Sequence, residues 1–324
     1  MAVNLALTLS LGCGASNESS APVNEGQASE DTARTARLPG EIVTGQVEVG
    51  PLTFDVRMAG PDDGEVVLLL HGFPQTSHEW RQQLPALGEA GYRAVAPDQR
   101  GYSPGARPTS AVDYRLNLLV RDIVGIADAI GADRFHLVGH DWGAIVAWAV
   151  ATAIPDRLIT VTPISVPHLD AFARVLRDPA SCQPAASAYF DVFVQPDSED
   201  AFLADNATRL RSIYAGVDEA AIDEFVRVLG TKAALRSALN WYRANISNRL
   251  PLAPPLGNVQ VPTMFVWSNG DTALCVDGAE LTAEYIDAPY RFEVLEGVNH
   301  WIPDLAPAAL NALLLDHLAA YSER

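Results

Sequence analysis

The chain has 324 residues, which at roughly 100–200 residues per domain allows one large domain or two modest ones. Apolar residues make up 48% and charged residues 19%, a balance that excludes disorder along the whole length. A formal charge of −18 argues against nucleic-acid or electrostatic membrane binding, and Lys232, as the only lysine, closes off Schiff-base chemistry elsewhere.

In chain order, 3–12 (VNLALTLSLG) is an apolar run that ends at Cys13. It is too short for a spanning helix, which needs about 20 apolar residues, but it has the length of a signal-peptide core. LSLGC resembles the lipobox of bacterial lipoproteins, in which the cysteine becomes the lipidated N-terminus, although no Lys or Arg precedes the run. Residues 1–13 are therefore expected to be a signal segment, with a lipid anchor at Cys13. Residues 14–40, rich in Ser, Ala, Asn, Glu and Gly, cannot bury enough surface to offset ordering entropy and read as a flexible tether. An exported protein, periplasmic or held at the cell envelope, follows. The alternative is a cytoplasmic protein with a disordered tail.

From residue 42 strands and helices alternate. Residues 43–57 carry two strand-like stretches joined through Gly50-Pro51, an antiparallel edge hairpin. Residues 65–70 (EVVLLL) form a continuous apolar run, as in a strand buried on both faces. The pattern returns at 93–97, 135–138, 158–164, 263–267 and 292–295, with helical periodicity over 77–90, 116–130, 144–153 and 307–321. Such alternation implies right-handed crossovers and a mostly parallel sheet covered on both sides. It stops near Pro167 and resumes near Val261. The intervening residues are helical in pattern (201–214, 220–229, 232–245) and close on a Pro-rich stretch at 251–255. A helical insertion there lies over the carboxyl ends of the strands, where ligands bind, and would be a lid. The expected division is 41–166 and 256–324 for the core, and 167–255 for the cap.

The chemistry is concentrated after the strand FHLV, in Gly139-His140-Asp141-Trp142-Gly143 followed by an apolar helix. This is the strand-turn-helix setting of the nucleophile elbow G-x-S-x-G with Asp in place of Ser. The change alters the reaction class. Serine attack on saturated carbon would end in an ether, whereas a carboxylate forms an alkyl ester that water can cleave. Asp141 thus points to displacement at an sp³ carbon carrying a leaving group, and both epoxides and alkyl halides fit.

His71-Gly-Phe-Pro74, Asp98-Gln-Arg-Gly-Tyr-Ser103, the Gly-His-Asp-Trp-Gly elbow and Gly297-Val-Asn-His-Trp301 stand in the order and spacing of a known family. Together they resemble the epoxide hydrolases of the α/β-hydrolase fold, over about residues 42–321. The resemblance implies an α/β class fold, with a mostly parallel eight-stranded sheet and an inserted helical cap. It makes Asp141 the nucleophile, His300 the base that activates water and Asp271 the acid that orients His300, with Asp277 and Asp304 also near. Backbone N–H groups of Phe73 and Trp142 would form the oxyanion hole, with a cis Phe73–Pro74 peptide. Tyr242, in Asn-Trp-Tyr-Arg, and Tyr189, in Ser-Ala-Tyr-Phe, would protonate the leaving alkoxide. Phe73, Trp142, Trp241, Phe190 and Trp301 would line the substrate space, His71 would tie loops together by hydrogen bonds, and His140 would help set the elbow.

Haloalkane dehalogenases also place Trp after an Asp nucleophile, but Phe73 stands where they use Asn as a halide donor, and a halide leaves without a proton. Another hydrolase of this fold is a further alternative, and a non-catalytic ligand-binding member of the fold a minor one. The partners expected are a small apolar epoxide and water, without nucleic acid. The other histidines (His78, His136, His168, His317) lack metal-ligand spacing, and no Gly-rich phosphate loop follows the first buried strand, so neither metal nor cofactor is implied. The three cysteines are too few and scattered for a zinc site or disulfide scaffold. In an oxidising compartment, however, Cys182 and Cys275 could pair.

Overall fold

The computed structural model describes residues 38–248, 250–251 and 254–323. The expected signal segment with Cys13, and nearly all of the expected tether, lie outside the described residues. Eight strands form one sheet: β1 Val43–Val49, β2 Leu52–Ala59, β3 Val66–Leu70, β4 Arg93–Pro97, β5 Phe135–His140, β6 Leu158–Ile164, β7 Thr263–Ser268 and β8 Tyr290–Leu295. Their order across the sheet is β1-β2-β4-β3-β5-β6-β7-β8. β1 and β2 form the antiparallel hairpin expected at the edge, turning at Gly50 with φ +56°. β2 meets β4 antiparallel, and every later pairing is parallel.

Burial follows position in the sheet. Every residue of β3, β5, β6 and β7 is buried, as strands covered on both faces require. β8 departs from that expectation: its residues are half-buried or exposed, because it is the edge strand with a neighbour on one side only.

The core helices are α1 Gln83–Glu89, α2 Leu116–Ala129 and α3 Trp142–Ala153. The stretch read as one helix over 77–90 is a 3-10 segment, Ser77–Gln82, followed by α1. Pro85 sits in the first turn of α1, where a missing N–H loses no helical bond.

Between β6 and β7 the chain runs through α4 Leu169–Arg177, α5 Gln183–Ala186, α6 Phe190–Phe193, α7 Ser198–Arg211, α8 Glu219–Leu229 and α9 Lys232–Asn245. α7 leaves helical geometry at residues 204–207, while α9 is capped by Thr231, whose side chain accepts the Ala234 N–H. A two-residue hairpin, Ile246–Ser247 with Leu250–Pro251, follows α9. α10 Val276–Leu281, α11 Ile302–Leu305 and α12 Pro307–Tyr321 complete the chain.

These cap helices are tied to the core loops by specific bonds. The Tyr214 hydroxyl donates to the Pro74 carbonyl at 2.6 Å, and the Trp241 indole donates to the Arg100 carbonyl at 2.7 Å. Arg57 pairs with Glu224. The loops after β3, β5, β7 and β8 therefore converge beneath the cap, at the carboxyl edge of the sheet.

Candidate active site

Asp141 occupies the turn between β5 and α3 at φ +52° and ψ −118°, a conformation that for a non-glycine residue costs on the order of 1–3 kcal/mol. The flanking glycines make this turn possible. A Cβ on Gly139 would lie 2.2 Å from the Gly143 carbonyl oxygen, and one on Gly143 would lie 2.0 Å from that of Leu70. Gly72 brings the next loop equally close, since a Cβ there would meet the Asp141 Cβ at 2.3 Å.

The two oxygens of Asp141 have different neighbours. Oδ1 accepts the Phe73 backbone N–H at 2.8 Å, from a loop in which the Phe73–Pro74 peptide is cis. Trp142 opens α3, so its own N–H has no intrahelical acceptor. Oδ2 lies 3.4 Å from His300 Nε2. The other nitrogen of that ring, Nδ1, is 2.7 Å from Asp271 Oδ2. Asp271 Oδ1 in turn accepts the N–H groups of Ala273 and Leu274 at 2.7 and 3.1 Å, which fixes the carboxylate that fixes the imidazole. The other nearby acids face elsewhere: Asp304 pairs with Arg81 and Gln75, and Asp277 is exposed in the first turn of α10.

Charge follows from this geometry. Burial would push the Asp141 carboxyl up, but its hydrogen bond to His300 and the His300 charge outweigh it and hold the group below the usual range. Burial would likewise lower His300, yet Asp271 and Asp141 together raise it to about 10. Both shifts favour the charged forms, carboxylate on Asp141 and imidazolium on His300.

Tyr189 and Tyr242 hang from the cap above it. Both line two cavities that meet at Asp141. The inner cavity is walled by apolar side chains, among them Leu116, Trp142, Ile145, Phe172 and Phe190. The outer one passes Phe73, Phe193, His300 and Trp301 and reaches Arg209, Ser212 and Thr272. Tyr242 is packed edge-on against Phe73, Trp142 and Phe193, with centroid distances of 5.3, 5.1 and 4.9 Å. Burial, then the Asp141 charge, pushes both phenols well above their ordinary range, so they keep their protons at neutral pH.

The profile of the alpha/beta hydrolase family matches residues 67–313. Epoxide hydrolase A of Mycobacterium tuberculosis is 32% identical over 315 residues, covering 86% of this chain and 98% of that protein. Human epoxide hydrolase 4 is 32% identical over 276 residues, covering 81% of this chain and 75% of that protein. The crystal structure of epoxide hydrolase A from Mycobacterium thermoresistibile superposes with a TM-score of 0.75 at 27% identity, covering 88% of this chain and all of that one. The chain belongs to the alpha/beta hydrolase family, among its epoxide hydrolases.

Not every residue expected in this epoxide hydrolase's site is there. Trp241 lines neither cavity. It is 1% exposed, packs against Trp142 and Tyr102, and spends its indole N–H on Arg100. Adjacent helical residues point about 100° apart, so with Tyr242 aimed at Asp141 its neighbour Trp241 must face the core. Phe190 lines the inner cavity, and Trp301 lines the outer. His71 holds two loops together: Nε2 accepts the Gln99 N–H at 3.0 Å, which leaves Nδ1–H for the Gly72 carbonyl. Ile145, absent from the expected lining, stands one turn past Asp141 on α3, a signal the i,i+4 spacing carries. Cys182 and Cys275 form a disulfide that joins the cap to the loop beyond Asp271.

Proposed function

We propose that this epoxide hydrolase opens its substrate through a covalent ester on Asp141. The observation that carries the reading is the division of the Asp141 carboxylate, with Oδ1 on the Phe73 N–H and Oδ2 toward His300. Oδ2 attacks a ring carbon, the carbon–oxygen bond breaks, and the ring oxygen takes a proton from Tyr242 or Tyr189. The ester carbonyl is then Oδ1, already in its oxyanion hole. Water deprotonated by His300 attacks Cγ, negative charge gathers on Oδ1, and the Cγ–Oδ2 bond breaks to release the diol. Oδ2 leaves with the product, and the oxygen of water becomes part of Asp141.

The proton inventory closes because the base is governed by the nucleophile. While Asp141 is ionised, it helps hold a proton on His300. Ester formation removes that charge, and the proton can return through solvent to the deprotonated tyrosine. His300 is then neutral when water must be activated. The two protons of water end on the second hydroxyl of the diol and on His300.

Mass spectrometry of His300→Gln mixed with styrene oxide tests this directly. The expected result is an adduct on Asp141 equal to one styrene oxide. Its absence, in a variant that still binds the epoxide, would sink the ester. An alkyl bromide and a p-nitrophenyl ester serve as comparators, and turnover of either above that of the epoxide would point to another substrate class. The inner cavity, apolar along its walls, supports a small apolar epoxide as the substrate.

Export with a lipid on Cys13 belongs to the same proposal. It is supported by LSLGC and by a disulfide of the kind that persists in oxidising compartments. Intact-mass analysis of protein from membranes would show a diacylglyceryl cysteine at the mature N-terminus, and an unmodified Met1 would overturn it.

A further inference from the structure

Behind the catalytic residues lies a second acid–imidazole pair, with no part in the mechanism above. Glu79, on the 3-10 segment Ser77–Gln82, and His140, which precedes the nucleophile, are each 0% exposed. Glu79 Oε1 and His140 Nδ1 face each other at 3.5 Å. Among the described residues neither atom has any assigned hydrogen-bond partner. Leaving both unsatisfied would cost about 1–3 kcal/mol for each. The remaining atoms dictate the protonation. His140 Nε2 lies 2.9 Å from the backbone carbonyl of His300, which can only accept, so Nε2 carries the hydrogen. In a neutral ring Nδ1 is then a lone pair. Glu79 Oε2 faces the Gly72 N–H at 3.5 Å, which can only donate. Two acceptors, Oε1 and Nδ1, are left opposite one another, and one proton between them satisfies both.

We propose that Glu79, as a neutral carboxylic acid, and His140 form a positioning pair whose hydrogen bonds run from the oxyanion loop at Gly72 to the carbonyl of His300. The proposal rests on the ester mechanism above for its effect on turnover, but not for its chemistry. Glu79 donates to His140 Nδ1, and His140 donates to the His300 carbonyl. The loop carrying the Phe73 donor and the loop carrying the base are thereby held in register around Asp141.

The alternative, a carboxylate with an imidazolium, places the same proton on nitrogen. The surroundings oppose it. Glu79 is faced by Asp304 from α11, itself held by Arg81, and by Asp141 from the elbow, and the charged His300 only partly offsets them. His140 is faced by the charged His300, with ring centroids 4.9 Å apart, and Asp141 and Asp271 only partly offset it. On Glu79's own turn, Arg81 is committed to Asp304 and Asp218, and burial, then Arg81, holds His78 down at about 4. Burial, then these neighbours, pushes Glu79 well above the usual carboxyl range and His140 down to about 4.

The test combines two variants with infrared difference spectroscopy. Glu79→Gln keeps a donor for Nδ1 and an acceptor for Gly72, whereas Glu79→Leu keeps neither. Glu79→Gln is expected to retain most of the wild-type kcat on styrene oxide. Glu79→Leu should lower kcat on the order of 10- to 100-fold, as expected for sub-ångström misplacement of reacting groups, with KM little changed. The wild-type kcat should fall at alkaline pH as Glu79 ionises, and Glu79→Gln should lack that fall. The wild-type minus Glu79→Gln spectrum should show the carbonyl band of a protonated carboxyl group. No such band, or equal loss of kcat in both variants, or none in Glu79→Leu, would overturn the pair. The infrared measurement needs neither substrate nor a folded Glu79→Leu. A wild-type enzyme inert toward styrene oxide but showing the band would therefore remove the function and leave the pair standing.

Discussion

Below the Asp141 carboxylate every contact comes from a loop at a strand end, while above it the contacts come from aromatic side chains of the cap. The lower face is charged and donates through backbone: Asp271, His300 and the Phe73 N–H are each fixed by a further hydrogen bond or by close backbone packing. The upper face is neutral. Tyr189 and Tyr242 are held by Phe73, Trp142, Phe190 and Phe193 through ring contacts at 4.8–5.8 Å. The groups proposed to gain or lose charge thus sit where the sheet makes them rigid, and those proposed to lend a proton sit where packing keeps them protonated. In the proposed mechanism, formation of the ester needs both faces, but its hydrolysis needs chiefly the lower one. Substitutions on the two sides should therefore fail at different steps.

The lower face gives the largest effect. Asp141→Ala removes the proposed attacking atom, and kcat/KM on styrene oxide is expected to fall by at least about 10⁴-fold, the scale seen when a nucleophile is deleted. Residual turnover within a hundredfold of wild type would mean that water attacks the epoxide directly. A cap variant should look different. Tyr242→Phe and Tyr189→Phe each remove one proposed proton donor and should cost about 10- to 100-fold in the rate of ester formation, toward the lower end of general-acid contributions. Single-turnover quench experiments should show slower appearance of the ester and no accumulation. If either phenylalanine variant instead accumulates ester, the division between the faces is wrong.

How far these positions are legible in the sequence follows the same boundary. Asp141, Asp271 and His300 each follow a strand, and strand ends are places that apolar runs and glycines mark out. Trp241 shows where that legibility stops. Two adjacent aromatic residues on a helix cannot both face one cavity, and only the phase of α9 against the core decides between them. Phase is set by contacts from distant segments, here Arg100 and Tyr102, which local pattern does not encode. The pairing of Glu79 with His140 is invisible in the sequence for a related reason. Their pairing depends on three loops brought together by the sheet order, and only that meeting leaves the two atoms without other partners. The fold was easier to read, because four fully buried strands leave continuous apolar runs. The β8 edge strand, with one neighbour, was read as more buried than it is.

The ion pair on the lower face carries a pH signature. His300 is raised to about 10 from an ordinary 6.5, so the stability it contributes is complete below about 6.5 and is lost as pH climbs through about 10. The Tm advantage of wild type over His300→Gln should therefore shrink across that window in thermal unfolding scans. An advantage that stays constant to pH 10 would show that the ring is neutral at rest and that Asp141 does not govern its proton.

The smallest effect on turnover tests what holds the upper face. The disulfide joins Cys182, seven residues before Tyr189, to Cys275, four residues beyond Asp271, and is the covalent link between the faces. It is not the only link. The Gln183 side chain donates to the Ala273 carbonyl at 2.8 Å and accepts the Cys275 N–H at 2.9 Å, alongside the same junction. If aromatic packing and these bonds position Tyr189, then opening the disulfide changes the unfolded chain far more than the site. A disulfide typically stabilises by about 2–4 kcal/mol, in large part by constraining the unfolded state. Cys182→Ser with Cys275→Ser should accordingly lower Tm by several degrees, at about 2–4 °C per kcal/mol for a chain of this class, while kcat stays within about twofold of wild type. Dithiothreitol on the wild-type enzyme should reproduce both results. A fall in kcat as large as that of Tyr189→Phe would mean that the cap's proton donor is held by the covalent bond, and that the upper face is not organised by packing alone.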